Sequence, residues 1–257
     1  MVIATRSLAR LGLGLALAVL PGACSWDEPL VPASEEPFLY LVLNQRSSSY
    51  YGSLEPQQLA LLLTVASPLE PMPYRSAQRF EMRRTSDGRR FDWRALPVGS
   101  IDPGTAQSVG LHMGNYHLPD ASTEAGLGAA DLRPGESYEL EIETEGVVVR
   151  GKVTIPAAFT AKVEVRDGRR IATWPSVPGA GGYLVGAYPY SREPQRDTFY
   201  VVPADSPPGP MTITAVDPNL YRYLTDENLG RSGIDAGYGV FGAISVAWVD
   251  LPPAPSR

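Results

Sequence analysis

Apolar residues fall on every second position through much of this chain. Leu59, Leu61, Leu63 and Val65 do so, as do Phe80 and Met82, Phe91 and Trp93, and Tyr138, Leu140 and Ile142. A period of two places such side chains on one face of a β-strand and sends the polar ones between them to the other. Residues 38–43 are apolar throughout, as expected of a central strand covered on both faces. Further strands are expected at 147–155, stopped by Pro156, and at 163–165 and 171–174, which flank Asp167-Gly168. That dipeptide tolerates the positive φ of a two-residue hairpin turn. Residues 183–185, 198–202, 211–216 and a last stretch running to Val249 complete the β pattern. One helical start interrupts it. Asp217 is the N-cap, Pro218 takes the first helical position, and Leu220, Tyr223 and Leu224 share a face, with Leu229 and Gly230 at the far end. The 25 glycines and 25 prolines suit many turns between short strands.

The N-terminus follows a different pattern. Arg6 and Arg10 precede an unbroken apolar run over 11–20, about half the ~20 residues a membrane-spanning helix needs. Pro21-Gly22-Ala23 then brings small residues up to Cys24. This is the layout of an export signal over 1–23. Its end resembles the bacterial lipobox, although Pro21 stands where a leucine is usual and Leu20 lies one step further off. The resemblance implies that a diacylglyceryl group is carried on the Cys24 sulfur after cleavage. Cys24 is the only cysteine, so no disulfide can form within the chain, and a thioether to lipid accounts for a lone thiol in an exported protein.

Residues 24–37 read as a tether, because Pro29, Pro32 and Pro37 oppose both helix and sheet. Asp27 and Glu28 behind the cysteine resemble a surface-sorting signal of some Gram-negative lipoproteins, or they simply solvate the tether. The leader holds two arginines and no acid, so twenty basic and 28 acidic residues remain, a net charge of −8. Such a body is not matched to nucleic acid or to a second electrostatic membrane contact.

Two packing signatures follow. Leu132-Arg133-Pro134-Gly135 leads into Tyr138-x-Leu140-x-Ile142, which resembles the tyrosine corner of immunoglobulin-type sandwiches, where a buried ring sends its hydroxyl back to upstream backbone. Trp174-Pro175 followed by Tyr183-Leu184-Val185 resembles neighbouring strands of a fibronectin type III domain, a Trp and a Tyr packing across the core. With the late Gly237-Tyr238-Gly239-Val240-Phe241-Gly242-Ala243, these features resemble an uncharacterised Gram-negative lipoprotein family that joins an immunoglobulin-like module to a fibronectin type III-like one. The fold this implies is all-β: two antiparallel β-sandwich modules, at 38–156 and 157–257, with one short helix near the C-terminus. It also implies location at the outer membrane, periplasmic or surface-facing, near TonB-dependent transporters. It brings no catalytic residue.

Candidate chemistry is sparse. His112 and His117 are the only histidines, too few for a closed zinc site without help from Asp120 and Glu124. No Gly-x-Ser-x-Gly turn is present, and Gly179, Gly181 and Gly182 lack the helix that a phosphate loop requires. No cofactor, metal or enzyme activity is expected. Tyr50 and Tyr51, set among serines, are the candidate binding residues, since exposed tyrosines make adaptable contact surface. Tyr116, Tyr188 and Tyr190 present the same choice between contact surface and core lid. Tyr138, Trp174 and Tyr183 are expected to be structural, and Cys24 to be the lipid attachment site. Finally, Glu139, Glu141, Glu143 and Glu145 alternate with apolar residues and are expected on one outward face. Arg79 and Arg83 on one neighbouring strand, and Arg150 and Lys152 on the other, should neutralise that row, leaving no metal site. The expected function is a lipid-anchored binding or accessory protein that presents loops to a partner protein or glycan. A ligand-free spacer or a carbohydrate-active enzyme is the alternative.

Overall fold

A computed structural model of the chain describes residues 36–45, 58–64, 75–95, 116–118, 131–186, 194–226 and 230–254. It is mostly β, with several antiparallel sheets and one helix among the described residues. The strands are β1 (Pro37–Gln45), β2 (Gln58–Thr64), β3 (Arg79–Arg84), β4 (Arg90–Asp92), β5 (Arg94–Ala95), β6 (Tyr116–Leu118), β7 (Ser137–Thr144) and β8 (Val147–Thr154), followed by β9 (Lys162–Arg166), β10 (Arg169–Thr173), β11 (Gly182–Gly186), β12 (Phe199–Val201) and β13 (Gly209–Val216). Helix α1 (Pro218–Thr225), β14 (Arg231–Ser232) and β15 (Tyr238–Leu251) complete the order. Pro37, placed in the tether by its chemistry, opens β1 instead. The first residue of a strand is where the sheet tolerates a missing N–H.

Among the described residues these strands form three sheets. The largest runs β11-β13-β15-β1-β2-β6-β5, with β14 also on β15. The others run β4-β3-β7-β8 and β12-β10-β9. Most neighbours are antiparallel, but β1 lies parallel to β15, Phe38 opposite Tyr238 through Gln45 opposite Ser245. Strand β15 therefore serves both ends of the molecule. Its first half pairs with β1 and its second half with β13, Ile244 opposite Val216 through Leu251 opposite Gly209.

Two main cores form against these sheets. In the first, Leu39, Leu41 and Leu43 of the large sheet meet Phe80, Met82, Leu140, Ile142, Val149 and Val153 of the four-stranded sheet. Phe241 and Ala243 of β15 join them. In the second, Val185, Met211 and Ile213 meet Ala172 and Trp174, and Leu251 closes the end. One face of β15 thus feeds both cores in succession. The opposite face carries the helix: Leu220 packs on Val216 and Val240, with Tyr40, Val42 and Ile244 around them. Leu224, expected on that face, is 41% exposed.

Buried Asp217 fixes the helix to the sheet. Its carboxylate accepts bonds from Leu220 N and Asn219 N, both 3.0 Å, and from Ala243 N of β15, 2.9 Å. Burial pushes the carboxyl above its ordinary range, and those three N–H groups pull the other way. The glycines of the last motif are contact positions. At Gly239, φ is +101°, and a Cβ would lie 2.0 Å from the Leu39 carbonyl of β1. At Gly242 a Cβ would strike Leu220 of the helix. Gly181 and Gly182 are also pressed close, against Pro218 and Tyr221.

Candidate functional site

The outer face of the four-stranded sheet is a lattice of charges. Its cause is the alternation that fills the first core: wherever one residue points in, its neighbours point out. On β7 the outward residues are Glu139, Glu141 and Glu143. Directly opposite on β3 stand Arg83, Glu81 and Arg79, and on β8 stand Lys152, Arg150 and Val148. Strand β4 adds Arg90 opposite Arg83 and Asp92 opposite Glu81.

Glu139, Glu141 and Glu81 are paired across the strands, whereas Arg79, directly opposite Glu143, turns to Glu141. Glu139 receives Arg83 at 2.6 Å and Lys152 at 3.9 Å. Glu141 is held between Arg79 and Arg150, the latter at 3.1 Å. Glu81 pairs with Arg90 at 3.5 Å. The Arg83 guanidinium beside Glu139 holds that carboxyl below its ordinary range. The fourth glutamate of the expected row does not join it. Glu145 and Gly146 form the β7–β8 turn, with φ of 45° and 81°, so the strand's alternation ends at Thr144. Glu145 instead pairs with Arg75, a buried side chain, at 3.0 Å.

A wall turns this face into a groove. Residues 233–235 lie along β8: Lys152 N donates to Gly233 O at 3.2 Å, Asp235 N to Arg150 O at 2.8 Å, and Arg150 N to the Asp235 carboxylate at 2.7 Å. The approach requires Gly151, since a Cβ there would sit 2.5 Å from the Gly233 carbonyl. The groove is open, about 810 Å³ in volume, and is lined by four basic and four acidic side chains together with Leu140, Gly151, Gly233 and Ile234. Glu139, Glu141 and Glu81 each sit against a cation, so every carboxylate of β3 and β7 that lines the groove is ion-paired. Among the described residues no three His, Cys, Asp or Glu side chains are placed to hold a metal ion, and no helix is long and apolar enough to cross a membrane.

Cys24, Tyr50, Tyr51, His112, Asp120, Glu124, Tyr188 and Tyr190 lie outside the described residues, while His117 sits on β6. Tyr116 is buried, and its hydroxyl accepts from Ala77 N at 2.6 Å, so this ring fills the first core and offers no contact surface. Tyr138 is fully buried, and its hydroxyl accepts from Arg133 N at 2.8 Å. Tyr183 makes the corresponding bond from Val177 N at 2.9 Å, its ring edge-on to Trp174 at 5.4 Å. Two groove residues escaped the sequence reading. Glu81 was legible, since it alternates with Arg79 and Arg83. Asp235 was not, because it reaches the groove from 85 residues further along the chain than its partner Arg150. Comparison with protein-family models, with curated proteins and with solved structures found no match.

Proposed function

We propose that the chain is a lipid-anchored binding or accessory protein of the outer membrane, held through Cys24. Its body is an immunoglobulin-like sandwich followed by a fibronectin type III-like one. The anchor is supported by the leader: an apolar run too short to span a bilayer, ending in small residues at the sole cysteine. The module types are supported by the two tyrosine hydroxyls, each bonded to backbone just upstream. The observation that carries binding is the walled, charge-balanced groove on β3, β7 and β8, concave where a plain spacer needs only a solvated face.

Both halves of this reading can be tested in cells. Labelling with an alkyne analogue of palmitate should mark the wild type, and Cys24→Ser should lose both the label and sedimentation with membranes. A labelled, membrane-bound Cys24→Ser protein refutes the anchor. Crosslinking in intact outer membranes should join the wild type to a membrane partner, a transporter being the one the family resemblance implies. The double variant Glu139→Lys/Glu141→Lys should lose that product. Equal crosslinking by both proteins takes the groove out of the binding role, and none by either returns the chain to the spacer reading.

A further inference from the structure

We infer that the groove takes a neutral saccharide, a proposal that rests on the binding role above. Charge is the first reason. Four basic side chains, Arg79, Arg83, Arg150 and Lys152, stand against four acidic ones that include Glu139 and Glu141. A ligand of either sign therefore meets no net field. A charged ligand that approaches one member of a pair also meets the other member as a like charge. A hydroxyl does not, because it donates and accepts at once. Two adjacent sugar hydroxyls can donate to a glutamate oxygen and accept from the guanidinium beside it, leaving the pair in contact.

Repetition is the second reason. Glu139 and Glu141 lie two residues apart on β7, about 6.6 Å along the strand. Each is flanked by one cation from β3 and one from β8. The same arrangement is thus presented twice in a row, as a chain of linked rings requires. Each guanidinium offers five N–H donors in a planar fork, more than its single glutamate partner engages. The free hydrogen-bonding capacity of the groove is accordingly rich in donors, a match for ring and hydroxyl oxygens.

Shape is the third. The volume of about 810 Å³ falls within the roughly 300–1,000 Å³ of small-ligand sites, and the wall at 233–235 favours a chain lying along β7 over a flat protein surface. Among the described residues no aromatic ring lines the groove, so none of them offers a sugar a face to stack on. With hydrogen bonds alone in an open site, dissociation constants of about 1 mM are expected.

The full-length protein, in a detergent without a sugar headgroup, can be examined by saturation-transfer NMR. The probes are maltotriose, cellotriose and triacetylchitotriose, with trigalacturonate and triarginine as charged comparators. At least one neutral trisaccharide should bind, and Glu141→Ala/Arg150→Ala should weaken it by about tenfold or more. The milder Glu141→Gln should weaken it less while leaving the melting temperature unchanged, which separates recognition from folding. Binding of only the charged probes, binding of none up to about 10 mM, or neutral binding that survives the double variant would overturn the proposal. A membrane partner lost on charge reversal, with no saccharide bound, would sink this inference and leave the proposed function standing.

Discussion

The two cores are built around the same device and differ in what they depend on. In each, a buried tyrosine near the start of a strand turns its hydroxyl back to an upstream backbone N–H: Tyr138 to Arg133 in the first, Tyr183 to Val177 in the second. The second core is supplied from one continuous stretch of sequence, since all its buried members lie between Ala172 and Leu251. The first core is not. It needs Phe241 and Ala243, which arrive about a hundred residues after Tyr138 on the strand that also closes the second core. The tyrosine of the first core is also tied to charge. Arg84, fully buried, reaches its hydroxyl and forks onto Asp87 at 2.6 and 3.0 Å. Two similar locks therefore rest on different strands: the first core draws on both β1 and β15, and the second draws on β15 but takes no residue from β1.

The sharpest way to break that asymmetry is Gly239→Val. A side chain there meets the Leu39 carbonyl and forces a φ of +101° that branched residues avoid. Loss of the β1–β15 pairing should cost the first core more than about 4 kcal/mol. Hydrogen exchange should then rise across β1 and β7 while β13 stays protected. Equal loss in β13 would show that the two cores melt as one. Next come the tyrosines. Tyr138→Ala should cost about 3–5 kcal/mol through the cavity it leaves. Tyr138→Phe and Tyr183→Phe should each cost about 1 kcal/mol, with Tyr138→Phe the larger because it also strips a partner from Arg84. Chemical denaturation measures all three, and a neutral Tyr138→Phe would remove the lock from the account.

The smallest effect is one that acid removes. The hydrogen bonds from Arg84 hold the Asp87 carboxyl down to about 2, against an ordinary 3.8. A depressed carboxylate contributes stability that is complete above its unfolded value and is lost as pH falls through the folded one. Asp87→Asn should therefore lower the melting temperature at pH 7, and the gap from wild type should close between pH 3.8 and about 2. A gap that persists unchanged below that window would mean the ion pair is not its source.

Much of this was readable from local pattern. Alternation located the strands at Phe80, Tyr138 and Val149, Asp167-Gly168 located a hairpin turn with both φ values positive, and Asp217-Pro218 located the helix. The same alternation put Glu139 and Glu141 outward between basic strands, because facing and register follow from a period of two once strand order is known. Glu145 failed the rule because a two-residue turn overrides alternation. What sequence determined, then, is every feature set by neighbours within a few residues: strand, turn, cap, and the side of the sheet each residue faces. Only the tertiary structure decided which distant segments meet. The parallel pairing of β1 with β15, the Phe241 contribution to the first core and the Asp235 wall of the groove join residues some 85 to 200 positions apart. No periodicity encodes such a partner. Parallel pairing and close approach are chosen by the fit of whole surfaces, and the small residues that permit them, Gly239 and Gly151, take on meaning only when the opposing backbone is in place.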